Sequence, residues 1–179
     1  MMHQNVKALL ATTALFFSCQ VMANGGCGFE DKQEGFIATC SEEKQEVILT
    51  GAVEAQKLVT ELPEFSSGYQ SYQVETDALA PIKAVDKATE IVVIIGTWCP
   101  DCHRETPRFI RIMEQVANPN IQVRYIGVDR QKQDPEGLAA QYDFQRIPTF
   151  IVLQDDKEIG RIVERPEVSL EQDLAKILK

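Results

Sequence analysis

The six residues "WCPDCH" (98–103) decide how the rest of the chain is read. Cys-x-x-Cys-His is the attachment signature of a c-type haem, with the histidine as an axial ligand to iron. Trp-Cys-x-x-Cys is equally the signature of a redox pair, two thiols that alternate between dithiol and disulfide. One stretch cannot serve both ends, so the surrounding residues must choose.

The flanks favour the dithiol. "IVVIIG" (91–96) is a continuous β-branched run that reads as a central strand buried on both faces. It leads straight into Trp98 and Cys99. "DCHRETPRFIRIMEQVA" (101–117) then carries Phe109, Ile112, Met113 and Val116 at helical spacing, with Pro107 expected to kink the helix. Cys99 thus falls at a helix N-terminus, where unpaired N–H groups and the helix dipole stabilise a thiolate. Pro100 suits the first helical turn, and Cys102, one turn deeper, can reach Cys99 for a tight disulfide. A low-spin haem needs a second axial ligand, usually Met or His. Met113 lies ten positions along the same helix as His103 and cannot reach the opposite face of an iron held there. The haem reading is set aside.

The first residues read as an export signal. Lys7 supplies a positive n-region, "ALLATTALFF" (8–17) an apolar core, and Val21-Met22-Ala23 a small-residue cleavage site. The apolar run is shorter than the roughly 20 residues of a membrane-spanning helix. Cleavage after Ala23 would place the protein in the periplasm or outside the cell. Lipoprotein processing at Cys19 is the alternative, weakened by bulky Phe16 and Phe17 before it. The signal would also take His3 with it, leaving His103 as the sole histidine.

Residues 24–179 hold 17 Lys and Arg against 27 Asp and Glu, a net charge of −10. Such an acidic chain repels phosphate backbones, which excludes nucleic acid as a natural partner. Four cysteines remain: Cys27, Cys40, Cys99 and Cys102. An even number in an exported chain is compatible with two disulfides. A structural disulfide between Cys27 and Cys40 is expected, with a second redox pair or a four-cysteine zinc site as alternatives.

Three regions are expected: a signal at 1–23, an N-terminal α+β extension at 24–74, and a domain at 75–179. In the extension, "EGFIAT" and "QEVILT" read as a hairpin, "GAVEAQKLVTELPEF" (51–65) as an amphipathic helix ending before Pro63, and "SSGYQSY" as a loop. Downstream, helices are expected at 80–88, 101–117, 135–144 and 169–178, the last with a Ser169–Gln172 capping box. Strands are expected at 91–96, 121–129, 149–154 and 159–164. This order describes an α/β fold, a mixed central sheet flanked by helices.

Trp98-Cys99-Pro100-Asp101-Cys102, Pro107 five residues on, and Ile147-Pro148-Thr149 before a strand together resemble the thioredoxin-fold thiol–disulfide oxidoreductases. "GTWCPDCHRETP" (96–107) is most similar to their exported branch. Two departures stand out: Val93 replaces the buried acid common in that family, and "NPN" (118–120) leaves no room for an insertion typical of the branch. The resemblance implies that Cys99 and Cys102 are the catalytic pair and that Trp98, Ile147 and a cis Pro148 dock the partner chain. It further implies protein thiols or disulfides as substrates, an unidentified redox partner that recycles the dithiol, a monomeric state, and no cofactor or metal beyond the redox disulfide.

Asp101, close to Cys99, should disfavour its thiolate and make the couple reducing. His103 is expected on the surface, pointing away from Cys99. Glu105 is expected either to accept a proton from Cys102 or to be an exposed first-turn carboxylate. A non-enzymatic reading, a Cu(I) chaperone using Cys99, Cys102 and His103 or an adaptor, stays open beside the enzyme.

Overall fold

The computed structural model describes residues 46–179. The expected signal, the Cys27–Cys40 disulfide and the "EGFIAT" half of the hairpin lie outside the described residues. The described chain orders as β1 (Gly51–Val53), α1 (Ala55–Glu61), α2 (Pro63–Ser71), α3 (Ala80–Lys83), β2 (Thr89–Ile95), α4 (Pro100–Val116), β3 (Ile121–Gly127), β4 (Thr149–Gln154), β5 (Lys157–Val163) and α5 (Leu170–Ile177). None of these helices is long and apolar enough to cross a membrane.

The five strands form one mixed sheet in the order β1-β3-β2-β4-β5. β2 runs parallel to β3 and antiparallel to β4, while β1–β3 and β4–β5 are antiparallel. The β-branched run explains β2's central place: Ile91 to Ile95 are all fully buried, covered on both faces as such a run demands. α4 packs its Phe109 against Phe150 of β4, with ring centroids 4.9 Å apart, and against Tyr125 of β3 at 6.4 Å. The core so formed fixes the end of β2, and with it the start of α4.

The expected boundary near residue 75 falls inside this unit. β1 pairs with β3 through Gly51↔Gly127 and Val53↔Tyr125, and α2 packs on α4. Leu58 and Phe65, from α1 and α2, are fully buried in the shared core. Residues 46–50 form no strand; Thr97 holds them instead, donating to the Val47 carbonyl at 2.6 Å and accepting the Leu49 N–H at 3.1 Å. Gly127 is required here, because a Cβ on it would lie 2.3 Å from the Leu49 carbonyl oxygen.

Several other local expectations are corrected. "SSGYQS" lies within α2, not in a loop. Pro63 ends α1 but begins α2 at its first position, as proline does well. Gly68 lets α2 settle on α4, since a Cβ there would lie 2.8 Å from Pro107 Cγ. The helix expected at 135–144 shrinks to one 3-10 turn, Ala139–Gln141. The Asp134 carboxylate captures the N–H groups of Glu136, Leu138 and Ala139 at 3.1, 2.9 and 2.8 Å, and Gly137 is left-handed at φ +68°. A side chain that satisfies local N–H groups competes with the helix. α3 likewise stops at Lys83, where Asn118 donates to the carbonyls of Ile82, Lys83 and Val85. At α5, Ser169 caps the Gln172 N–H at 3.2 Å, but the Gln172 side chain turns to Glu75, so only half of the capping box forms.

Candidate functional site

β2 ends at Ile95 and α4 begins at Pro100, so four residues, 96–99, bridge a buried strand to a helix start. Gly96 is needed for closeness: a Cβ on it would lie 2.8 Å from both Ile147 Cδ1 and the Trp98 indole. Cys99 is the N-cap residue of α4, with extended φ/ψ, and Pro100 fills the first helical position. Cys102 is fully buried one turn on, and Cys99 is 8% exposed. Both are free thiols.

The sulfurs have opposite surroundings. The hydrogen bond from Cys102 lowers the Cys99 pKa most, aided by the N–H groups of Cys102 and Asp101 at the helix start, to about 6; burial and the Asp101 carboxylate work against this. Asp101 therefore acts in the expected direction, but the hydrogen bonds outweigh it. Burial, followed by the Cys99 interaction, pushes the Cys102 thiol far up; the Gly96 N–H, 3.3 Å from Cys102 Sγ, opposes that only in part. Cys99 is therefore the more readily ionised of the two thiols and Cys102 the less.

The Ile147–Pro148 peptide is cis, and Cys99 Sγ lies 3.6 Å from the Ile147 carbonyl oxygen. The loop 48 residues downstream is thus brought against Cys99. Trp98 is half-buried, donates from Nε1 to the Val128 carbonyl at 3.1 Å, and carries the Arg130 guanidinium 5.0 Å above its ring. Glu46 holds Arg130 at 2.6 Å.

His103 is not a solvated surface residue. It is half-buried, its Nε2 donates to the Thr97 carbonyl at 2.6 Å, and its ring meets Phe65 edge-on at 5.3 Å. A carbonyl only accepts, so Nε2 carries the proton and is turned toward backbone. Among the described residues, no three His, Cys, Asp or Glu side chains are grouped to hold a metal.

Glu105 is not exposed either. It is 2% exposed; its Oε1 accepts from Arg104 at 2.6 Å, and its Oε2 is buried without a hydrogen-bond partner. Val93 is fully buried in the middle of β2, so that position offers no carboxylate. Asp101 is also paired, with Arg104 at 2.7 Å and Arg165 at 3.2 Å. These contacts, Arg104 first, hold its carboxyl below the usual range.

Sequence reasoning passed over Gly96, Thr97, Arg104, Arg130 and Arg165. Arg104 is legible in retrospect as the i+3 partner of Asp101 on one helix. Arg165, 64 residues from Asp101, carries no such signal.

A sequence profile described as thioredoxin matches residues 53–176. The chain belongs to the thioredoxin family. The match starts within β1, in agreement with a family domain that includes α1 and α2. Over 98 residues the chain is 30% identical to a TPR repeat-containing thioredoxin of Arabidopsis thaliana, covering 54% of this chain and 24% of that protein. Over 100 residues it is 27% identical to an H-type thioredoxin of Brassica campestris, covering 55% and 74%. The chain therefore spans about a quarter of the first relative's length. Among solved structures it is similar to a protein of unknown function from Pseudomonas aeruginosa, with a TM-score of 0.49 and 20% identity over 68% of this chain and 83% of that one.

Proposed function

We propose that this thioredoxin-family chain is an exported thiol–disulfide oxidoreductase that reduces protein disulfides through its Cys-Pro-Asp-Cys site. The observation that carries the reading is Cys99 at the N-cap of α4, 3.6 Å from the Ile147 carbonyl before cis-Pro148 and one turn from the fully buried Cys102 thiol. Export is inferred from the leader-like residues 1–23, with anchoring at Cys19 as the other outcome of processing.

In the proposed cycle the Cys99 thiolate attacks one sulfur of a partner disulfide. A Cys99–partner disulfide forms, and the partner's second sulfur leaves as a thiolate that takes a proton from water. Cys102 then loses its proton and attacks Cys99 Sγ, releasing the partner's remaining sulfur. The partner gains two electrons, and the enzyme is left with the Cys99–Cys102 disulfide. A separate dithiol donor must restore the thiols.

Ile147 and Pro148 are assigned to docking, because an extended partner chain laid beside Cys99 would meet the Ile147 backbone. Trp98 is assigned to the same surface. Glu105 is assigned as proton acceptor for Cys102: it lies one turn along α4, it is buried, and one of its oxygens is unclaimed. The reducing direction draws support from Asp101 between the two cysteines, whose carboxylate opposes the Cys99 thiolate and so the reduced form.

The test is the reduction potential of the pair, by thiol trapping and mass spectrometry across a dithiothreitol series. A two-electron transition near or below about −270 mV is expected. A value near about −120 mV would make the protein an oxidase, and no reversible transition would remove the oxidoreductase reading.

A further inference from the structure

We infer that Arg165 is a positioning residue for the Cys99–Cys102 couple: reaching in from the segment after β5, it takes up the charge that Asp101 would otherwise present to Cys99. The inference rests on the oxidoreductase reading of the site. Asp101 lies between the two cysteines, and its Oδ1 receives both Arg104 Nη2 at 2.7 Å and Arg165 Nη2 at 3.2 Å. Arg104 is divided, since its Nε is engaged by Glu105 at 2.6 Å. Arg165 turns Nε as well as Nη2 toward the same Asp101 oxygen, at 3.4 and 3.2 Å.

The backbone holds Arg165 in register with the site. The Glu164 N–H donates to the Pro148 carbonyl at 2.7 Å, one residue from Arg165. Glu164 is left-handed at φ +59°, a conformation that persists in a non-glycine residue only where its surroundings impose it. The circuit from Cys99 through Ile147, Pro148, Glu164, Arg165 and Asp101 back to α4 is therefore closed.

Arg165 is 68% exposed, so the ion pair adds little to stability. Its effect is local. The charged groups around this corner are Asp101, Arg104 and Glu105 on α4, Arg165 beyond β5, the Arg146–Glu164 pair beside Ile147, and Arg130–Glu46 over Trp98. Among the described residues, Arg104 and Arg165 are the cations in contact with Asp101.

The experiment compares Arg165→Gln, Arg165→Lys, Asp101→Asn and the Arg165→Gln/Asp101→Asn double variant in the full chain. Cys99 thiolate is read by ultraviolet absorbance against pH, and the dithiol–disulfide equilibrium is read in glutathione buffer. Arg165→Gln should move the Cys99 titration upward and shift the equilibrium toward the disulfide by roughly two- to fivefold, the range of an exposed ion pair. Arg165→Lys should recover most of the shift, added salt should shrink it, and in the Asp101→Asn background it should vanish. An equal shift in that background, or none in the single variant, overturns the inference. If the unaltered protein shows no reversible dithiol–disulfide transition, the oxidoreductase reading fails, while the Cys99 titration still decides the role of Arg165.

Discussion

The rim and the floor of the Cys99–Cys102 site are three residues apart at the start of one helix, yet they sit in opposite surroundings. At the rim, Cys99 faces N–H groups at the start of α4, the thiol of Cys102 and the carbonyl of Ile147. Its neighbours are polar, and its pKa falls to about 6. At the floor, Cys102 is fully buried on the core side of α4, and burial drives its pKa upward. Helix position makes part of this difference, since Cys99 is the N-cap and meets the N–H groups of Asp101 and Cys102, while Cys102 lies inside the first turn. Depth makes the rest: a thiolate survives where fixed donors replace water and not where apolar side chains do.

Replacing the sulfurs in turn gives the largest effects. Cys99→Ser should reduce disulfide exchange to background, a loss of roughly a thousandfold or more. Cys102→Ser should instead leave the first attack intact and accumulate a mixed disulfide with the partner, seen as an added mass by mass spectrometry. If both variants behaved alike, the rim and floor would not have separate roles.

Titration sharpens the contrast. Alkylation of Cys99 by iodoacetamide should rise about tenfold per pH unit and level off above about 6, while Cys102 stays unmodified in the folded protein. Stability should follow the same split. Cys99, with a depressed folded pKa, contributes stability that is present above the ordinary thiol value and lost as pH falls through about 6. Cys102, with a raised one, contributes below the ordinary thiol value and loses that contribution as pH rises beyond it. Urea unfolding of the reduced protein, minus the same curve for a Cys99→Ser/Cys102→Ser variant, should therefore peak near the ordinary thiol pKa of about 8.5.

Gly96 joins rim to floor, since its N–H meets Cys102 and its α-carbon faces Ile147 and Trp98. Gly96→Ala should cost about 1–3 kcal/mol from overpacking and slow exchange as well, measured by thermal melting and insulin reduction. The smallest effect serves as a control at α5. Ser169→Ala removes the cap on the Gln172 N–H and should cost about 1 kcal/mol with exchange unchanged.

Legibility varied along the chain for physical reasons. β2, α4, β4 and β5 were readable because their own residues carry the pattern: a β-branched run, a helical stripe and turn residues between strands. α2 was not, since Ser66, Ser67 and Gly68 have loop composition and the helix depends on packing against Pro107. The 135–144 segment failed the other way: its helical composition lost to the hydrogen bonds of one carboxylate, Asp134. At the site, Cys99, Cys102, Ile147 and Pro148 could be named from their motifs, and the structure brings Cys99 and Ile147 into contact. The burial of Glu105, the inward turn of His103 and the Arg165 contact could not be named.

By itself the sequence determined a central strand delivering a Cys-x-x-Cys to a helix start, because strand, turn and helix signals there are local and agree. Tertiary structure decided which carboxylate is paired, which histidine edge is buried and how far the domain extends toward the N-terminus. Those outcomes depend on residues tens of positions apart, such as Arg165 with Asp101 and Gly51 with Gly127, which meet only once the sheet has closed.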